Sequence, residues 1–176
     1  MGTLKTEPAR QRPDLLAAPV LAAVEALATD DVLVAPIDPG LADTAAFCEA
    51  YEVGPDVSAN CVVVSGKREG ALRYAACMVL ATTRADVNGV VRRQLDIRKA
   101  SFAPMDTAVA ETGMEYGGIT PIGLPESWPI LVDARIVTIP YVIIGSGVRH
   151  SKIALPGELL ARLPGARTVE GLGIER

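Results

Sequence analysis

The stretch Tyr116-Gly117-Gly118-Ile119-Thr120-Pro121-Ile122-Gly123 decides how this chain is read. Half of its residues are Gly or Pro, and it separates a helix-like segment from a run of apolar strands. Glycine permits φ > 0 and lets the backbone approach a ligand closely, while Pro121 stiffens the exit. Two readings fit these eight residues. One is a pocket wall built from main-chain N–H and C=O groups; the other is an ordinary tight turn.

Upstream, apolar residues at Leu16, Val20, Val24 and Leu27 predict a helix within 13–28, weakened early by Pro19. Residues 1–12 read as a mobile tail and 13–176 as one domain. Val32 to Ala35 reads as a strand stopped by Pro36, Pro39 and Gly40. A helix over 45–51 is capped by Asp43 or Thr44. A strand over 60–65, a turn over 66–70 and a longer strand over 71–82 follow. The last is apolar almost throughout, which implies burial on both faces. Helices are expected over 86–95 and 104–112, with a short edge strand over 99–102. Downstream, strands are expected over 130–132, 136–139, 141–144 and 152–155, then a helix over 156–163. Helices mixed with many short strands give an α/β (mixed α+β) domain rather than a regular βαβ repeat.

Composition narrows the function classes. With 49% apolar residues in 176, the chain can bury one sizeable core. Aromatics are 4%, with two Phe and one Trp, so no aromatic platform of the kind that stacks single-stranded bases is expected. A net charge of -4 argues against a grip on a long nucleic-acid backbone, so any such contact is expected to be local. Cys48, Cys61 and Cys77 match neither zinc nor redox spacing and read as free thiols. His150 is the lone histidine, so a His-based metal site is not expected. No run reaches membrane-span length, and the expectation is a cytoplasmic protein.

Four segments in order resemble one family. Thr112-Gly113-Met114-Glu115-Tyr116-Gly117-Gly118-Ile119-Thr120-Pro121-Ile122-Gly123-Leu124 resembles the "tGyxxGGvsPiG" signature of the YbaK/ProX aminoacyl-tRNA deacylases, a domain also inserted in many prolyl-tRNA synthetases. Pro129 to Asp133 resembles the family's "lPvyiD" strand. Tyr141 to Arg149 resembles "iyvsaGrRg", and Ile153 to Leu160 resembles "ieLxpedLl". The resemblance spans about Val32 to Gly165. It implies a single, strongly curved, barrel-like mixed sheet with flanking helices. It also implies hydrolysis of a mischarged aminoacyl ester on tRNA in trans, without metal or organic cofactor. The implied partners are the aminoacyl-tRNA 3′ end and an aminoacyl-tRNA synthetase. Gly118, Ser146 and Gly147 are implied as catalytic residues at the reacting ester; Asn60, Gly117, Thr120, Pro121 and Gly145 are implied as substrate contacts.

Two departures stand out. The family's "vaKtLvf" lysine aligns with Asn60 in Val57-Ser58-Ala59-Asn60-Cys61-Val62-Val63-Val64. Asn can hydrogen-bond a phosphate or ribose but carries no charge, and Lys67 lies on the far turn. After the Gly147 loop, many members carry an acidic residue where this chain has Lys152. The first departure motivates an alternative: a non-catalytic module binding aminoacyl-tRNA, a nucleotide or a synthetase. Hydrolysis of another small ester or amide is a third reading. Ser146 reads either as a donor to substrate or as a loop serine bonding its own backbone. Cys61 reads as a packing residue, because no base accompanies it. Arg92, Arg93, Arg98 and Lys99 form either a solvated face or a landing patch for the acceptor stem.

Overall fold

The computed structural model describes residues 1–175. The N-terminal part comprises β1 (Glu7–Pro8), α1 (Ala18–Leu27), β2 (Leu33–Pro36) and α2 (Thr44–Ala50). The central part comprises β3 (Ala59–Arg68), β4 (Ala71–Leu80), β5 (Thr83–Ala85), α3 (Arg92–Gln94), β6 (Ala100–Phe102) and α4 (Met105–Thr112). Then come β7 (Ile130–Asp133), α5 (Ala134–Val137), β8 (Val142–Gly145), β9 (Ser151–Leu155), α6 (Gly157–Ala161), β10 (Ala166–Val169) and β11 (Gly173–Glu175).

Local chemistry sets the boundaries. Pro19 sits in the first turn of α1, where a missing N–H costs nothing, so the helix starts there and Pro13–Leu15 is a separate 3₁₀ turn. Asp86 accepts from the Gly89 and Val90 N–H groups at 3.0 and 2.9 Å and opens a π-helical turn at Val87–Val91, which leads into α3. The segment 136–139, expected as a strand, starts instead as helix α5. The Asp133 carboxylate accepts the Arg135 N–H at 3.0 Å, an N-cap that overrides the β-branched residues behind it. Residues 1–12 lie against the body: Thr3 N–H donates to Tyr51 O, and Glu7–Pro8 pairs with β2.

The barrel-like single sheet is corrected by the strand pairing. Strands divide into a four-stranded sheet ordered β1-β2-β9-β8, a five-stranded sheet ordered β10-β7-β4-β3-β6 and a pair β11-β5. None closes. The first sheet is antiparallel throughout; in the second, β10, β7 and β4 run parallel and β4, β3 and β6 antiparallel. The large sheets touch at one bridge, Ser58 with Ile143, so hydrogen bonding never continues around a barrel.

The core explains why β4 is apolar throughout. Ala76, Met78 and Leu80 face the main core, which α1, α5, α6 and the four-stranded sheet complete. Ala75, Cys77 and Val79 face a second core with Val87, Val91, Leu95 and Leu172. Alternate residues thus go to opposite faces and both faces are covered.

Two loops meet edge to edge. The loop after α4 carries Gly117 and Gly118; the β8–β9 loop carries Ser146 to His150. Gly147 N–H donates to Gly118 O at 2.7 Å, and Glu115 N–H donates to Gly147 O at 2.8 Å. A Cβ on Gly118 would stand 2.5 Å from Val148 O. Gly147 adopts φ +87°, and a Cβ there would stand 2.5 Å from the Ala17 Cβ.

At the far edge, Arg135 grips Asp133 with two hydrogen bonds of 2.9 and 2.7 Å, while Gly173 N–H donates to Asp133 at 2.6 Å. Burial opposes ionisation of Asp133, but these donors prevail and hold its pKa below the usual carboxylate value. The lowered pKa contributes stability that is present above the unfolded carboxylate pKa and lost as pH falls through the folded one. Asp133→Ala is expected to lower stability by about 2 kcal/mol and to flatten the acid limb of the unfolding profile, read by denaturant titration from pH 7 to 3. Gly147→Ala is expected to cost more than about 1 kcal/mol, because both φ and space forbid the methyl group; an unchanged thermal midpoint would contradict the tight loop contact.

Candidate functional site

Beyond the Ser58–Ile143 bridge the two large sheets part, and a cleft of about 310 Å³ opens between them. Its walls come from β3 (Ala59 to Val63), the entry to α2 (Ala42 to Thr44) and the loop residues Tyr116, Gly117 and Ile119. Gly145 of β8, Lys152 of β9, Phe102, Ala103 and Ala108 complete it. The floor is made of small apolar groups. A few polar groups are set among them, the usual make-up of a small-ligand site.

Each polar group has a defined setting. Thr44 Oγ1 donates to Asn60 Oδ1 at 2.6 Å, which leaves the Asn60 amide N–H₂ as a donor at the cleft. Lys152 extends from β9 and donates to Ala42 O at 2.9 Å, with its ammonium 5.1 Å from the Phe47 ring centre. Burial lowers its pKa to about 8. The Cys61 thiol is pushed up by burial and stays protonated at neutral pH, in keeping with a wall residue rather than a nucleophile. Phe102 and Tyr116 border the cleft and are 61% and 57% exposed, so a small aromatic rim exists despite the low aromatic content.

Arg149 links two of the cleft's walls from outside the lining. Its backbone N–H donates to Glu115 Oε2 at 2.6 Å, and its guanidinium donates to Tyr116 O and Pro39 O, each at 3.2 Å. It also stands 3.7 Å from an Asp43 carboxylate oxygen. One side chain therefore ties the Gly117 loop to the start of α2.

The residues expected from sequence fall into two groups. Asn60, Gly117 and Gly145 line the cleft. Gly118, Ser146, Gly147, Thr120 and Pro121 lie outside its lining. Gly118 and Gly147 form the loop-to-loop contact. The Ser146 hydroxyl is buried and donates to Ser151 Oγ at 2.6 Å, which in turn donates to Leu15 O at 2.6 Å. Thr120 is buried with its hydroxyl unpartnered among the described residues, and Pro121 borders an apolar hollow elsewhere. His150 contacts Asp14 O, and Lys67 lies on the β3–β4 hairpin outside the cleft. Sequence reasoning missed Thr44, Phe102, Arg149 and the position of Lys152. The one available signal was a single charge in β9, whose other residues are uncharged.

Among the described residues, no three His, Cys, Asp or Glu side chains gather as a metal site. Nor is any helix there long and apolar enough to cross a membrane.

Comparison with known proteins adds a family. The sequence profile of the aminoacyl-tRNA editing domain matches residues 38–163. A solved structure described as a proposed trans-editing enzyme for prolyl tRNA synthetase superposes with a TM-score of 0.74 at 19% identity, covering 88% of this chain and 94% of that one. A hypothetical protein superposes with a TM-score of 0.77 at 17% identity, covering 89% of this chain and 99% of that one. These two likenesses speak for the fold alone. The profile spans well over half of the sequence, so the chain belongs to the aminoacyl-tRNA editing domain family, the YbaK family its motifs resemble.

Proposed function

We propose that this protein removes the amino acid from a mischarged aminoacyl-tRNA in trans, by hydrolysis of the ester at the tRNA 3′ end. The observation that carries the reading is the cleft between the two sheets in a chain of the editing family. A main-chain wall at Gly117, Ile119 and Gly145 faces a floor of small apolar groups. Such a floor suits a small amino-acid side chain and rejects a larger one by volume.

The chemistry needs an oriented ester, a water and donors for the developing oxyanion. Among the described residues, the Gly117 and Ile119 N–H groups find no acceptor, which leaves main-chain donors in the wall. Asn60 adds its amide N–H₂. Phe102 and Tyr116 offer faces on which a terminal adenine stacks. Arg92, Arg93, Arg98 and Lys99 are exposed on α3 and the segment leading into β6, the strand that carries Phe102. They suit the acceptor stem as a short electrostatic contact. Gly118, Ser146 and Gly147 act by holding the wall in place.

The second reading, a binding module without turnover, is favoured by one feature. Among the described residues, no unpaired carboxylate and no imidazole lines the cleft as a general base: Asp43 stands 3.7 Å from Arg149, the Cys61 thiol is protonated and Asn60 does not titrate. Incubating the protein with a panel of mischarged tRNAs separates the two. Ester loss above the spontaneous rate is expected; tight binding with no release assigns the module, and neither binding nor release rejects both. Phe102→Ala is expected to raise KM for aminoacyl-tRNA about tenfold with little change in kcat, the worth of one stacked base. An unaltered KM would remove Phe102 from the substrate path.

A further inference from the structure

Among the described residues that line the cleft, Lys152 alone carries a positive charge. It is only 8% exposed, in a strand whose other residues are also buried. A buried ammonium normally has a carboxylate partner. Here none lies within ion-pair distance among the described residues. Asp43 acts on it electrostatically but pairs with Arg149, and Arg149 and Cys48 are the other charged or titratable groups near it. One N–H of the ammonium goes to Ala42 O, and the Phe47 ring covers one side. Two donors and an uncompensated charge remain at the cleft wall.

Lys152 and Asn60 come from different sheets yet border one cavity. Gly145 sits opposite Lys152 in the β8–β9 register, so no side chain stands beside the base of the lysine on that strand. We infer that Lys152 is the anion-binding residue of this cleft and that it takes the phosphate on the 5′ side of the terminal adenosine. The inference rests on the proposed function for the identity of the ligand. The positive charge in the cleft is on β9, and across from it Asn60 of β3 offers a neutral donor.

The test is equilibrium binding of two stable analogues, each an adenosine with an amino acid joined through a 3′-amide. One bears a 5′-phosphate and the other a 5′-hydroxyl. The wild-type protein at pH 7 is expected to prefer the phosphate form by about tenfold, the worth of a charged hydrogen bond. That preference fades as pH rises past about 8, where the ammonium loses its proton. Lys152→Met is expected to bind both forms equally while melting no lower than wild type, since it removes an unpaired buried charge. Lys152→Met combined with Asn60→Lys is expected to regain the preference, because the charge returns to the same cavity from the other wall. Equal binding of both analogues by the wild type overturns the role of Lys152 and leaves the proposed function standing. Failure to bind either analogue overturns the proposed function and the phosphate contact with it. Should Lys152→Met not fold, the pH series on the wild type decides alone: a preference that is flat from pH 7 to 9.5 overturns the inference.

Discussion

The contact on which the site depends is main chain against main chain, between Gly118 and the segment Gly147–Val148. Gly147 N–H reaches Gly118 O at 2.7 Å, and the Gly118 Cα lies so close to Val148 that no β-carbon fits between them. Gly145 is constrained in the same way, since a Cβ there would stand 2.4 Å from Gly118 O. Three glycines thus bring a loop from behind α4 onto the end of β8. This contact holds the Gly117 wall of the cleft against the end of β8. Side-chain packing could not hold the loops this close, and a longer spacing would flatten the cleft into open surface.

The support for that contact comes from outside the span of the family profile. Gly147 rests on Ala17 and Val20, and the Ser146–Ser151 hydroxyl relay ends on Leu15 O. Ala17 N–H returns a bond to Ser146 O at 3.3 Å. The turn at Pro13–Leu15 and helix α1 therefore form the floor under the β8–β9 loop, although the profile begins at residue 38. A buried hydroxyl pair fully engaged in this way stabilises a loop conformation.

Much of the fold was legible because its signals are local. The β-branched run of β2 stopped by Pro36, the turn between β3 and β4 and the nearly continuous apolar run of β4 each reflect one element's own residues. Signals that arise between elements were not legible. The run from Ile136 to Ile139 reads as a strand by its β-branched residues, but the Asp133 cap starts a helix, and that carboxylate is fixed by Gly173, forty residues on. The strand at Ala166–Val169 lies partly exposed at the sheet edge and carries no apolar alternation, so only its pairing with β7 defines it. At the site, the glycines were readable as needing close approach, but not what approaches. For Gly118 it is another backbone. Lys152 read as a departure from a family pattern; only the pairing of β9 between β2 and β8 turns it toward Asn60's cavity.

The energetics of Lys152 point the same way as its position. Its folded pKa, about 8, lies below the usual lysine value because burial disfavours the charged form. Between the folded and unfolded values the unfolded chain binds more protons than the native one, so this group makes folding more favourable as pH rises through that window. At neutral pH the charged ammonium is therefore a net cost to the folded state, offset only in part by Ala42 O and the Phe47 ring. A methionine of similar length would remove that cost. Retaining the lysine makes physical sense when something absent from the free protein uses it. An anion entering the cleft would do so, raising the lysine pKa and drawing in a proton at mildly alkaline pH, so that ligand affinity and protonation become linked through one side chain.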